Sequence, residues 1–175
     1  MTPSWAAAGP VATRTLSEAD FAVPIDRRYF EDYQAGAVYE YGYATVDQEE
    51  LLAFARRFDP QPIHADAGLA AAGPFGGLIA SGWHTSAMFM RLFADHYLSR
   101  VASLASPGID ELRWPAPVRP GDTLRLRTTI AETRRSRSKP DRGLVFTHAE
   151  LLNQDDRCVL SLTAMNLLRL RDEAG

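Results

Sequence analysis

A single cysteine, Cys158, denies the chain any intramolecular disulfide, so an apolar core must hold it together. Cys158 itself sits in an alternating apolar run, which suits a small buried side chain better than a nucleophile. Basic residues are not in excess either. Lys and Arg number 19 against 22 Asp and Glu, for a net charge of −3 and a pI near 5.8. That balance excludes nucleic acid as the main partner, because phosphate binding calls for a basic footprint. No long apolar run is free of charge: residues 78–98 contain His84, Arg91, Asp95 and His96, which a membrane span tolerates poorly. The first 24 residues lack the basic start and sustained apolar stretch of a secretory signal, so a cytoplasmic protein is expected. What remains is ordinary in amount. With 175 residues, 46% of them hydrophobic and 23% charged, the chain can bury one sizeable core.

The pattern divides into an Ala-, Pro- and Ser-rich flexible extension over 1–24 and one domain over 25–175. Residues 37–46 are aromatic and β-branched, as in a strand. Asp47 is placed to cap a helix, with Glu50 three residues on. That helix carries Leu51, Leu52, Phe54, Ala55 and Phe58 at helical spacing and stops before Pro60. A loop is expected over 59–77. The next helix, over about 80–98, has apolar or small residues on nearly every face of its first three turns, which predicts enclosure by other structure. Four strands then follow, at 108–114, 123–134, 144–152 and 158–169. Such an order gives an α+β class: one antiparallel sheet wrapped around one long helix.

The stretch Asp59-Pro60-Gln61-Pro62-Ile63-His64 carries the most chemistry. A carboxylate and an imidazole both titrate in a range useful for proton transfer. Each proline fixes its own φ and pushes the preceding residue towards extended geometry. Fully extended, five residues span up to ~17 Å; the two groups meet only if the segment turns, and prolines lower the entropy lost in fixing that turn. Asp66 follows in the same segment. Ser81-Gly82-Trp83 opens the long helix and offers unpaired backbone N–H groups at the positive end of its dipole. His64, Asp66 and His84 match no metal-ligand spacing, so no metal is expected.

These segments, in order, resemble the MaoC-like dehydratase family, whose members include the (R)-specific enoyl-CoA hydratases of hot-dog fold. The likeness covers roughly residues 28–170. It rests on Tyr29-Phe30-Glu31-Asp32 with Gly36, on 58–66 around the Asp-Pro-Gln-Pro-Ile-His core, on Phe75-Gly76-Gly77-Leu78-Ile79-Ala80-Ser81-Gly82, and on Pro117-Val118-Arg119-Pro120-Gly121-Asp122-Thr123-Leu124. The resemblance implies a single hot-dog domain and a catalytic pair at Asp59 and His64. It implies reversible addition of water to the double bond of an enoyl thioester, giving a 3-hydroxyacyl-CoA, without metal or organic cofactor beyond the coenzyme A of the substrate. Ser81, Gly82 and Trp83 are then the expected substrate-binding residues, their backbone N–H groups facing the thioester oxygen. Arg135, Arg137 and Lys139, in a cationic turn, are candidates for the phosphates of coenzyme A, although a solvated hairpin explains them equally well. The expected partners are an acyl-CoA or acyl-carrier thioester, with no nucleic acid and no membrane, and the expected assembly is a homodimer or a group of dimers in fatty acid metabolism. The chain departs from the family at Gln61, where Asn is usual, and at Ser81-Gly82-Trp83, where His-Gly-Met is common. Trp83 either shapes the acyl pocket or packs in the core. Two other functions fit the same fold: a non-catalytic acyl-thioester binding module, and a thioesterase.

Overall fold

The computed structural model describes residues 14–15 and 21–171. Most of the expected N-terminal extension lies outside them. Within it, β1 (Arg14–Thr15) pairs with β2 (Val38–Thr45), and Phe21 stacks on Tyr39 with ring centroids 4.2 Å apart. The sheet is antiparallel throughout, in the order β1-β2-β4-β5-β6-β3. Its later strands are β3 (Ser103–Arg113), β4 (Thr123–Arg135), β5 (Arg142–Leu152) and β6 (Cys158–Arg169). Along β4 the alternation is strict: Leu124, Leu126, Thr128 and Ile130 are fully buried, while Arg125 and Arg127 reach Glu40 on the other face. A period of two puts every second side chain against the core.

Helix α1 (Gln48–Phe58) begins where Asp47 accepts a hydrogen bond from the Glu50 backbone N–H. Acidic residues fill its first turn and Arg56 and Arg57 its last, both favourable to the helix dipole. Leu51 and Ala55 are fully buried. Two short helices, α2 (Pro62–Ala65) and α3 (Ala67–Ala72), occupy the segment expected to be irregular. They are too short to show a periodic apolar face, so only their caps mark them. Pro62 stands at the first position of α2, where its missing N–H removes no bond, and Asp66 caps α3 by accepting from the Leu69 backbone.

The central helix, α4 (Gly82–His96), crosses the concave face of the sheet. Phe89, Leu92 and Phe93 are buried against the strands, each worth roughly 1.5–3 kcal/mol of transfer free energy. Enclosure is only one-sided, however: Trp83 is 60% exposed and Met90 47%. A single sheet covers a single flank of a helix, so the residues that looked interior on the other flank are left uncovered. At its far end Tyr97 is wholly buried. Its carbonyl accepts from Tyr33 and Arg28, and its hydroxyl bonds to Thr147, which satisfies groups a helix end leaves open.

The start of α4 is pinned by the linker before β4. The Ala80 backbone N–H donates to the Val118 carbonyl at 2.8 Å, and Asp122 accepts from the Arg119 N–H at 2.8 Å. Gly121, with φ of +88°, takes the left-handed conformation this turn requires. Among the described residues no helix is long and apolar enough to cross a membrane.

Candidate active site

Asp59 is the C-cap of α1, Ser81 is the N-cap of α4, and one hydrogen bond joins them. The Ser81 hydroxyl donates to Asp59 Oδ2 at 2.6 Å and accepts from the Trp83 backbone N–H at 3.2 Å. Asp59 Oδ1 accepts from the Gln61 side-chain amide at 2.7 Å. As the prolines require, Asp59 and Gln61 both have backbones outside the helical region (ψ of 69° and 142°). Helix α2 then folds the chain back, so that His64 Nε2 comes to 3.6 Å from Asp59 Oδ2.

The other imidazole nitrogen fixes the tautomer. His64 Nδ1 lies 2.9 Å from the Ile79 carbonyl, and a carbonyl oxygen only accepts, so Nδ1 carries a proton. Nε2 is left as the position that changes protonation state. The imidazole is buried at 7% exposure and the carboxylate side chain is 17% exposed. The Ser81 hydroxyl, and after it the Gln61 amide, hold the Asp59 carboxyl below its ordinary range; the His64 charge acts in the same direction and burial opposes it. The pair therefore presents an ionised carboxylate oxygen and an imidazole nitrogen just beyond direct hydrogen-bond distance. A molecule that donates one proton and accepts another can engage both.

Three expected site residues thus gather: Asp59, His64 and Ser81. Ser81 contributes a side-chain bond that its capping position alone does not reveal, and Gln61 contributes another. Gly82 is not open space. A Cβ there would meet the indole of Trp114 at 2.7 Å, so it is an aromatic ring of the protein that uses the missing side chain. Trp83 is neither a core residue nor part of an enclosed pocket; it stands edge-to-face with Trp114, centroids 5.4 Å apart. Asp66 caps α3, apart from the pair. Arg135 ends β4, and Arg137 and Lys139 lie in the exposed turn beyond it. They are separated from the turn that holds Ala80 by the length of that strand, ~40 Å at 3.3 Å per residue. Within one protomer they do not meet the Asp59–His64 pair. Among the described residues, no group of three or more His, Cys, Asp or Glu side chains gathers as a metal site requires.

A groove of about 790 Å³ runs between α1 and α4, walled by Phe54, Phe58, His84, Met88 and Leu92 among others. Asp59 and His64 do not line it, but Phe58 directly precedes Asp59 and His84 lies one turn beyond Ser81. A sheet curled about a helix, with an acid and an imidazole at the helix start, defines the class: a hot-dog protein. The MaoC like domain matches residues 33–148, and the chain belongs to the MaoC-like dehydratase family. It is 40% identical over 90 residues to 3-hydroxyacyl-thioester dehydratase Z of Mycobacterium tuberculosis, an alignment covering 50% of this chain and 60% of that protein. The chain thus spans somewhat less than two thirds of that relative's length. The crystal structure of a MaoC-like dehydratase from Rhodospirillum rubrum aligns with a TM-score of 0.76 and 38% identity, covering 82% of this chain and 98% of that one. An R-hydratase from Pseudomonas aeruginosa shares the fold, with a TM-score of 0.63 and 24% identity over 82% of this chain and 86% of that one.

Proposed function

We propose that the protein is an acyl-thioester hydratase/dehydratase that adds water to a trans-2-enoyl-CoA, or removes it from the (R)-3-hydroxyacyl-CoA. The observation that carries this reading is the Asp59–His64 pair, with Nδ1 of His64 committed to Ile79 and Nε2 facing an ionised carboxylate. Water between the two, oriented by Nε2, gives one proton to Asp59 as its hydroxyl bonds to the β carbon and the double-bond electrons move into the enolate. That proton then passes from Asp59 through His64 Nε2 to the α carbon, which returns both groups to their starting state. Because both side chains contact the same water, the roles belong to the pair. As the double bond is attacked, charge grows on the thioester oxygen, and the backbone N–H of Gly82 at the start of α4 opposes it, that of Trp83 being taken by Ser81 Oγ. No metal or organic cofactor enters these steps. A cytoplasmic homodimer is part of the same proposal.

The test is a panel of enoyl-CoA esters of graded length. Loss of enoyl absorbance without release of free thiol supports the hydratase. Thiol release shows a thioesterase instead, and binding with neither signal shows a binding module. On the best substrate, Asp59→Asn and His64→Ala should each lower kcat by on the order of 10²–10⁴, and the double variant should be little worse than either. Asp66→Asn, which retains a capping side chain for α3, should stay near wild type. Near-normal turnover by Asp59→Asn would overturn the assignment.

A further inference from the structure

The α1–α4 groove contains a polar group that the proposed chemistry does not use. His84 lies one turn into α4, about 4.5 Å along the axis from Ser81. It is 4% exposed and lines the groove. Its Nδ1 is sealed from solvent and has no hydrogen-bond partner. Burial lowers its pKa, so the ring is neutral and carries one N–H. A buried N–H without an acceptor is worse than a bare lone pair, which places that proton on Nε2. This donor also lacks an acceptor among the described residues. A neutral imidazole held in a largely apolar groove with an uncommitted donor is arranged for a ligand atom.

The groove's charges say which atom. His84 touches Phe54 (5.0 Å between centroids), Phe54 touches Phe58 (5.0 Å), and the Arg57 guanidinium lies 5.0 Å over the Phe58 ring. Arg57 makes no ion pair among the described residues. At the opposite end the charges balance: Arg91 is paired with Asp95 at 2.7 Å, and Glu50 and Arg100 add one charge of each sign. The unpaired Arg57 thus stands at the end of the groove marked by Phe58, the residue before Asp59, next to two phenyl rings able to hold methylene groups. We propose that this groove receives the acyl part of the thioester and selects chains that carry a carboxylate, with His84 donating to one of its oxygens and Arg57 supplying the charge. The inference rests on the acyl-thioester reading above and names the substrate class within it: short mono-thioesters of dicarboxylic acids.

Binding tests it independently of turnover. Glutaryl-CoA and valeryl-CoA differ only in a terminal carboxylate against a methyl group, and neither has a double bond to hydrate. Calorimetry on the full chain should show glutaryl-CoA bound at least ~10-fold more tightly, the scale expected of a charge-assisted hydrogen bond. His84→Leu and Arg57→Met should each remove most of that ratio while leaving valeryl-CoA within ~3-fold of wild type, and His84→Gln, which retains an N–H donor, should restore part of it. Equal binding of the two esters by the wild type, or a parallel loss of both in the variants, overturns the proposal. If His84→Leu does not fold, the wild-type ratio and Arg57→Met decide. Hydration of the matching enoyl esters is scored separately. A carboxylate preference in binding with no hydration of any ester sinks the hydratase reading alone, and hydration without the preference sinks this one alone.

Discussion

Asp59 has its whole proton-accepting capacity organised by neutral donors. The Ser81 hydroxyl lowers its pKa most, ahead of the Gln61 amide. A carboxyl depressed in this way contributes stability above its unfolded value of 3.8 and loses it as the pH falls through the lower, folded value. As a base it stays ionised across the neutral range, so the acid limb of kcat/KM that it governs should lie below the ordinary carboxylate range. Ser81→Ala removes the larger of the two donors. The limb should move to higher pH, read from pH–rate profiles of wild type and variant, and the lost helix cap should lower stability by about 0.5–2 kcal/mol. An unmoved limb would mean that another group sets it. The sequence alone shows the acid, the imidazole and the turn between them, because proline geometry is local. It does not show Ser81 as the donor, because a serine before a helix is already explained as a cap.

At the level of elements, α1 is readable to the residue, since Asp47 and Pro60 mark both ends by mechanisms confined to neighbouring atoms. Strand β3 is not. Only its second half is expected from the pattern, yet it begins at Ser103. Pro107, register shifts along the pairing with β6 and a positive φ at Glu111 break the alternation on which a strand is recognised. Helix α4 is found, but its exposed flank is misjudged, because apolar composition cannot say which side a sheet will cover. The contact between Gly82 and Trp114 belongs here too. A Cβ at Gly82 has to displace the indole, which is 41% exposed and held by one hydrogen bond, from Nε1 to Ser86 Oγ at 3.3 Å. Gly82→Ala should therefore keep the fold while parting Trp114 from Trp83, seen as a red shift in tryptophan emission. An unchanged spectrum would show that the helix start yields instead.

Across the whole molecule, four of the nine exposed large apolar side chains fall on or beside two elements. Ile109 lies on β3, Trp114 just beyond its end, and Trp83 and Met90 on the uncovered flank of α4. Among the described residues β3 pairs only with β6, so one of its edges is open, and an open apolar edge invites a second strand. The proposed homodimer uses this edge. Light scattering at micromolar concentration should give twice the chain mass, and Ile109→Lys should shift the protein towards monomer without unfolding it. A wild-type monomer would refute the assembly. The bonds that close the active site also have a bearing on how the chain reaches this state. Asp59 and His64 are near neighbours in sequence, but the bonds that orient them reach Ser81 and Ile79, 22 and 15 residues away respectively. A turn can bring the acid and the imidazole together early, whereas longer loops close more slowly. The orienting bonds wait for the start of the central helix to come into place, and a chain caught before that step holds its acid and its imidazole close together but unaligned.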